Sequence, residues 1–360
     1  MSESKICIIT TRNIFDSPCL EKYKSLINLP YDIIYWDRCG IIEECGANEY
    51  YKFSSILSPV DSKFKKIKAY IEFTMYANKI LSKKSYKRLI IYPTQAAWII
   101  SYQLLKKYKE KYLLDIRDYA GEQKFLLGKF TSILVQNSGL TSITSPEYRE
   151  FLPQYNYIIS HNIQLIDKHI VNDYRHKKRK KEKYTLSFIG SVRFIDQQKK
   201  LIKRLANDNR FLLRYIGRGS EQLVEFCKTE NISNVEFIGQ FKREELSSFY
   251  LETDMAINVY GNNDPYLDYA LSNKLYSAAI MGMPILVSSG TYMEKISKKY
   301  GFGIAYDFYN PNMNDILFKY LDNISFTQLF YGCDNFMKVV SKQEEEYAKI
   351  VTKFLNKSGF

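Results

Sequence analysis

The sequence is poor in the residues that bind metals or form disulfide frameworks. Its 360 residues include three histidines and six cysteines, and no two cysteines form a C-x-x-C pair. Because a zinc site needs several such ligands at short spacing, the sequence predicts no metal site and no metal cofactor. Cysteines without a disulfide pattern are typical of reduced thiols, which predicts a cytoplasmic protein.

Long apolar segments are also missing. No run approaches the roughly 20 apolar residues of a membrane-spanning helix. A first predicted strand at 6–10 leaves no room for a secretory leader. The sequence therefore predicts a soluble protein, or one held at the periphery of the inner membrane face.

Positive charge, by contrast, is abundant. Lysine and arginine number 52 against 39 acidic residues, a formal net charge of +13. This balance indicates an anionic partner: a nucleic acid, an acidic membrane surface or a phosphorylated substrate. A predicted amphipathic helix over 61–88 carries many lysines on its polar side. That side is either a solvated basic face or a surface that docks on an anionic membrane.

Short apolar runs alternate with helix-length segments along the whole chain. This alternation predicts an α/β fold with parallel sheets, and 360 residues suit two domains. The polar, basic segment 171–183 is the predicted linker between a domain over 1–170 and a second domain over 184–342.

Glycine or polar residues follow several predicted strands. Gly190, Gly217 and Gly239 do so in the second half, and Asp118 and His161 in the first. Ligands bind beyond the carboxyl ends of strands in open parallel sheets, so binding sites are expected at these edges. The alternatives are ordinary turns at the glycines, a structural Asp–Arg pair around Asp118, and a capped turn at His161.

Residues 272–287 carry a further signal. Ser272 is a favourable N-cap, Gly282 can end the helix, and a short apolar strand follows. Lys274 falls in the first helical turn, where free backbone N–H groups and the helix dipole favour an anion. The segment indicates a phosphate site, or else a solvated lysine on an ordinary αβ unit.

The order of these pieces resembles the family 4 glycosyltransferases of the GT-B fold, of the type found in bacterial capsule and exopolysaccharide synthesis. The first half contributes the segments 114–118, 145–148 and 161–162. The second half contributes the segments 188–193, 215–219, 235–239, 272–276 and 282–287. The resemblance covers about residues 5–310.

The resemblance implies two Rossmann-like domains that face each other across a cleft, with a C-terminal helix at 343–360 crossing back to the first. It also implies a UDP- or GDP-linked sugar donor bound without metal by the second domain. The implied donor-binding residues are Gly190, Ser191, Arg193, Lys199, Gly217, Arg218, Ile238, Gly239, Asp268, Asn273, Lys274, Leu275 and Ser277.

On the acceptor side, the resemblance implies contacts from Arg12, Asn13 and His161. The implied catalytic residues are Asp118, Arg117 and Arg193, with the arginine charge of Arg193 stabilising the departing nucleoside diphosphate.

One departure concerns two glutamates that many family members carry around the start of the phosphate-binding helix. The matching positions are Tyr269 and Ser277, and Asp268 is the nearest carboxylate that could substitute.

The leading hypothesis is a retaining glycosyltransferase that moves a sugar to a glycan or lipid-linked saccharide in bacterial surface polysaccharide synthesis. The first alternative is a GT-B-fold nucleotide-sugar epimerase, which would form product from the donor alone. The second is a non-catalytic nucleotide-binding or nucleic-acid-binding protein. A nucleic-acid partner is not expected, because the sequence shows no nucleic-acid-binding motif.

Overall fold

The computed structural model describes residues 5–58, 61–164, 166–176 and 181–356. The chain divides into two compact units, of which the first contains residues 1–161 and 342–360 and the second contains residues 162–341. Within the described ranges, no helix is both long and apolar enough to span a bilayer.

The first unit is a parallel α/β layer structure. Its strands are β1 (Ile6–Thr10), β2 (Tyr31–Asp37), β3 (Glu49–Ser54), β4 (Arg88–Tyr92), β5 (Tyr112–Ile116), β6 (Leu140–Ile143) and β7 (Ile158–Ile159). Its helices are α1 (Cys19–Leu26), α2 (Lys63–Lys83), α3 (Thr94–Ile99), α4 (Ser101–Lys106) and α5 (Phe125–Gln136). The most apolar strands, β1 and β4, are completely covered, as a sheet with helices on both faces requires.

The seven strands run in the order β3-β2-β1-β4-β5-β6-β7. The chain winds outward in both directions from β1, so the order reverses between β1 and β4. Such a switch point opens a crevice at the carboxyl ends of the two strands. The loops after β1, β4 and β5 surround this position.

The second unit repeats the plan. It contains α6 (Lys168–His176), β8 (Tyr184–Ile189), α7 (Ile195–Arg204), β9 (Phe211–Ile216), α8 (Val224–Thr229), β10 (Val235–Ile238), α9 (Leu246–Leu251) and β11 (Met255–Asn258). It continues with α10 (Pro265–Asp268), α11 (Asn273–Met281), β12 (Ile285–Ser288), α12 (Tyr292–Lys299), β13 (Gly303–Tyr306) and α13 (Met313–Asn323). The long α14 (Phe326–Asn356) begins in the second unit, and its residues from 342 onward belong to the first.

The six strands of this sheet are parallel and ordered β10-β9-β8-β11-β12-β13. The switch point lies between β8 and β11, which places the loop after β8 and the loop after β11 on either side of the crevice. These are the loops that begin at Gly190 and at Val259.

Two parts of the sequence-based prediction need correction. The basic helix expected over 61–88 ends at Lys83, and Arg88 is a buried residue of β4. The segment expected to be a linker from 171 onward begins inside α6, where Tyr174 is fully buried. The rest of that linker over 177–180 lies outside the described residues.

Candidate functional site

Helix α11 begins and ends as its sequence predicts. Gly282 adopts the left-handed conformation at φ +72°, and the strand β12 follows directly. Ser272 occupies the N-cap position, but its hydroxyl donates to Asn258 Oδ1 at 2.9 Å rather than accepting from the helix. The Leu275 N–H donates to the Ser272 carbonyl oxygen at 3.0 Å. Because the Ser272 side chain does not cap the helix, the N–H groups of Asn273 and Lys274 are open to a ligand or to solvent.

Lys274 lies in this first turn, and its ammonium group is held in place by two aromatic rings. Nζ donates to the Tyr260 hydroxyl at 2.7 Å and lies 4.1 Å from the centre of the Phe188 ring. Phe188 belongs to β8 and Tyr260 follows β11, so the ammonium group sits at the switch point of the sheet. Cation–π attraction favours a lysine at this helix start, which the helix dipole disfavours.

The loop after β8 reaches the same position. A Cβ atom built on Gly190 would lie 3.7 Å from Lys274 Nζ, so backbone and ammonium group are neighbours. Gly190 has φ +123°, a conformation that other residues rarely adopt. The structure thus brings together two predicted donor residues that are 84 positions apart in the sequence.

The loop after β9 packs directly on the loop after β8. Gly217 has φ +132°, and a Cβ atom on it would lie 2.2 Å from the Gly190 carbonyl oxygen. The Val192 N–H donates to the Arg218 carbonyl oxygen at 2.9 Å, which joins the two loops further. This close approach requires a glycine at position 217, which is therefore more than a turn residue.

The polar and charged side chains in and near these loops differ in their surroundings. Arg193, Ser191 and Arg218 are exposed. Lys199 lies one turn into α7, and its Nζ lies 5.5 Å from the centre of the Phe226 ring on α8. The structure therefore pairs Lys199 with that ring.

Ile238 and Gly239 lie at the end of β10. The sequence predicts a buried strand there, but β10 is the edge of the sheet and its residues are only partly covered. The Ile238 carbonyl accepts from the Gly217 N–H at 2.8 Å. No atom among the described residues lies within 4 Å of a Cβ built on Gly239, so this backbone borders open space.

The remaining predicted donor residues lie at different depths. Asn273 is half-buried at the start of α11, whereas Leu275 and Ser277 are completely buried on its inner side. Asp268 ends α10, and its buried Oδ1 has no hydrogen-bond partner among the described residues. Burial, together with the nearby charge of Asp264, raises the pKa of the Asp268 carboxyl group.

In the first unit, Asp118 and Arg12 form an ion pair. Arg12 Nη2 lies 3.1 Å from Asp118 Oδ2, and both side chains are more than a third exposed. Arg12 follows β1 and Asp118 follows β5, so the pair lies at the carboxyl edge beside the switch point. An exposed carboxylate at this edge can accept a proton or a hydrogen bond from a hydroxyl group.

Arg117 is placed differently from Asp118. Its Nη1 donates to buried Asp115 at 2.8 Å, and Asp115 also accepts from the Ser142 hydroxyl at 2.7 Å and from the Tyr23 hydroxyl. Burial lowers the Arg117 pKa, but Asp115, together with smaller contributions from Cys19 and Tyr23, offsets this and leaves the pKa above its ordinary value. This arrangement matches the alternative in which an Asp–Arg pair has a structural role.

Asn13, the second predicted acceptor residue, is buried in the loop after β1. Its Nδ2 donates to Asp37 Oδ1 at 3.1 Å and to Glu43 Oε2 at 2.7 Å, and its Oδ1 accepts from the Arg38 N–H at 2.9 Å. These contacts order the loops that follow β1 and β2.

His161, the third predicted acceptor residue, is also buried. Its Nε2 lies 2.7 Å from Gln343 Oε1, and its N–H donates to Glu344 Oε1 at 2.6 Å. Lys22 Nζ bonds both the His161 carbonyl oxygen and the Glu344 carboxylate. His161 therefore anchors the last part of α14 to the first unit, where Tyr347 completes the core.

The pH dependence of stability follows from this environment. Burial lowers the pKa of His161 below its ordinary value of 6.5. Between 6.5 and the lowered pKa of the folded protein, the unfolded chain binds a proton that the folded protein does not bind. We therefore expect the free energy of unfolding to fall by up to about 1.4 kcal/mol per pH unit as the solution is acidified.

Urea denaturation at a series of pH values tests this. His161→Gln cannot take up a proton and should lose this part of the slope, whereas His169→Gln, at an exposed position, should retain it. Identical slopes for the wild type and His161→Gln would contradict the assignment.

Three residues near these sites were missed at the sequence level. Phe188 falls inside a predicted strand, and Tyr260 follows another, without either standing out as a site residue. Glu122 is buried beside Thr94, and its Oε1 has no hydrogen-bond partner in the part of the chain that the structure describes. Burial raises the pKa of Glu122 above its ordinary range. For Phe188 and Tyr260, the available signal was an aromatic residue at or near the carboxyl end of a strand.

The second unit therefore combines three features of a candidate anion site at its switch point: an ammonium group, a helix start without a side-chain cap and a glycine loop. Phosphate groups are bound by this combination in many proteins. Among the described residues, no cluster of His, Cys, Asp and Glu has the arrangement of a metal site.

Comparisons with known proteins were made on sequence and on structure. No protein-family model matches the sequence, and no curated protein does. Solved structures, however, match over nearly the whole chain. Sucrose-phosphate synthase from Thermosynechococcus elongatus superposes with a TM-score of 0.69 at 13% identity, covering 98% of this chain and 99% of that one.

Two further structures are similar. HepE from Anabaena, solved in complex with UDP and glucose, gives a TM-score of 0.62 at 9% identity and covers 99% of this chain and 100% of its own. WaaG, a glycosyltransferase involved in lipopolysaccharide biosynthesis, gives 0.56 at 12% identity, covering 98% and 100%. The chain thus has two parallel-sheet α/β domains of seven and six strands and the GT-B fold of these glycosyltransferases.

Proposed function

We propose that the protein is a metal-independent glycosyltransferase, similar to family 4, that uses a UDP- or GDP-linked sugar. The observation that carries the proposal is Lys274, whose ammonium group lies beside Gly190 at the switch point of the second sheet. A nucleoside diphosphate presents adjacent phosphates, which suit one ammonium group and one uncapped helix start.

The proposed chemistry is stabilisation of the leaving group. As the sugar departs, negative charge develops on the diphosphate, and Lys274 and exposed Arg193 lower the energy of that state. The Gly217 loop and the open backbone at Gly239 offer space for the nucleoside. Fixed cations here would perform the role that a metal ion has in other transferases.

On the first unit, we propose Asp118 as the group that orients the acceptor hydroxyl or accepts its proton. Arg12 pairs with this carboxylate at 3.1 Å and positions it. We further propose that the donor sugar is a hexose and that its anomeric configuration is retained. The proposed acceptor is a glycan or lipid-linked saccharide in bacterial surface polysaccharide synthesis. We place this reaction in the cytoplasm, at the inner membrane face.

Thermal-shift and calorimetric titrations with UDP, GDP, TDP and CMP test the donor site. Binding of UDP or GDP is expected to stabilise the protein, because only the folded chain offers the site. Affinity for RNA that falls steeply with salt, without any nucleotide binding, would instead favour the nucleic-acid-binding alternative.

Asp118→Asn tests the chemical step. We expect it to lower the release of UDP from a UDP-sugar by about a hundredfold, within the range of general base catalysis, with little change in UDP affinity. Glu147→Gln, at a partly exposed acidic position of the same unit, serves as the control. Full activity of Asp118→Asn would remove this residue from the site, and product formed from the donor alone would indicate an epimerase.

A further inference from the structure

Helix α2 presents an apolar stripe to solvent. Phe64, Ile67, Ile71 and Met75 recur every three or four residues, the spacing that places side chains on one helical face. Their exposed fractions are 86%, 57%, 55% and 69%. The helix packs on its own unit through a different set of side chains, Ala69, Phe73, Ala77 and Leu81. The stripe is therefore not needed for the core.

An open groove continues the stripe between α2 and the α3–α4 segment. It has a volume of about 920 Å³, and Met75, Trp98, Ile99 and Tyr102 contribute apolar surface to it. The Trp98 indole N–H donates to Thr131 Oγ1 at 3.0 Å, which fixes the ring at the groove wall. Tryptophan and tyrosine favour positions where an apolar phase meets water.

Lysines border the stripe. Helix α2 contains six lysines and a single acidic residue, Glu72. Lys63, Lys68, Lys79 and Lys83 are all exposed. Lys68 lies 3.9 Å from Glu72, and Lys65 pairs at 2.9 Å with Asp61, which precedes the helix. An apolar stripe between lysines thus fits a partner with an apolar interior and an anionic surface layer.

We propose that the α2 stripe, its lysines and the adjoining groove form a docking surface for an anionic lipid bilayer. The apolar side chains enter the acyl boundary while the lysines contact headgroup phosphates, with the helix lying in the plane of the interface. A second copy of this chain is a poorer occupant, because it would bring two sets of lysines together.

This inference rests on the proposed function in one respect: the proposed acceptor gives the reason why the protein would dock on a bilayer. Helix α2 follows β3, so it begins at the carboxyl edge of the sheet, the edge that carries Asp118. Docking through α2 would hold that edge next to an acceptor whose lipid anchor lies in the bilayer.

Vesicle binding by the full chain tests the surface. Trp36 is fully buried and is the only tryptophan besides Trp98, so a change in emission reports on the groove. We expect sedimentation with phosphatidylcholine–phosphatidylglycerol vesicles, together with a blue shift of Trp98 emission. Vesicles of phosphatidylcholine alone should bind much less.

Ile67→Ser/Ile71→Ser should weaken binding by at least about tenfold, because two apolar side chains no longer enter the bilayer. Ile42→Ser/Ile56→Ser replaces two other exposed isoleucines of the same unit and should bind as the wild type. UDP affinity should be the same in all forms, which separates failure of this surface from failure of the donor site.

Three results would overturn the proposal. They are absence of sedimentation with the anionic vesicles at low salt, undiminished binding by the Ile67→Ser/Ile71→Ser variant, and a dimer in solution that this variant converts to a monomer. The last result would assign the stripe to a second copy of the chain.

Discussion

Lys274→Ala is expected to weaken UDP binding by about tenfold to a hundredfold. A hydrogen bond to a charged group contributes roughly 1.5–3 kcal/mol, and each 1.4 kcal/mol is a factor of ten in affinity. Lys274 Nζ is already held beside Gly190 by Tyr260 and Phe188, so little conformational entropy is lost when a phosphate binds. Stability without ligand should change little, because the lysine stands at the unfavourable end of the helix dipole.

Isothermal titration with UDP measures the effect. Arg193→Ala should also weaken binding, but by a smaller factor, since an exposed arginine must be ordered first. Lys200→Ala removes a charge from an exposed position on α7 and is the matched control. If Lys274→Ala and Arg193→Ala both bind UDP like the wild type, the anion site lies elsewhere.

Gly217→Ala is expected to lower the free energy of unfolding by about 3 kcal/mol. The new methyl group would lie 2.2 Å from the Gly190 carbonyl oxygen, and the residue would have to keep φ near +132°. Neither backbone can withdraw easily, because the Gly190 N–H donates to the Ile216 carbonyl oxygen at 2.8 Å. The loop that borders Lys274 would shift, so UDP affinity should fall as well.

Gly301→Ala separates the cost of a positive φ from the cost of the clash with the neighbouring loop. Gly301 also has positive φ, at +70°, but no described atom lies within 4 Å of a Cβ built on it. This variant should cost only about 1–2 kcal/mol and leave UDP affinity unchanged. Equal losses in denaturant melts of Gly217→Ala and Gly301→Ala would mean that the loop contact contributes nothing.

Much of the fold could be predicted from local patterns. Buried strands such as β1, β4 and β9 are short apolar runs, and the end of α11 at Gly282 follows from the left-handed stop. These signals are local because burial on both faces and helix termination depend on neighbouring residues. The alternation of strands and helices was sufficient for the α/β class.

Other elements escaped because their signal depends on distant partners. Strand β3 mixes polar and aromatic residues at the edge of its sheet, and β13 is a four-residue edge strand that begins at a glycine. Edge strands need no continuous apolar run, since one side of the strand is open. His161 resembled a site residue, but its partners Gln343 and Glu344 lie more than 180 positions away.

The sequence was enough to establish two α/β halves, the glycines at the strand ends and a lysine in the first turn of α11. Periodicity and turn chemistry act over a few residues, so they can be read along the chain. Only the folded chain revealed the strand order and the two aromatic rings beside Lys274. The same holds for the pairing of Arg12 with Asp118 and for the exposure of the α2 stripe. Each depends on contacts or burial between segments far apart in sequence, which no local pattern encodes.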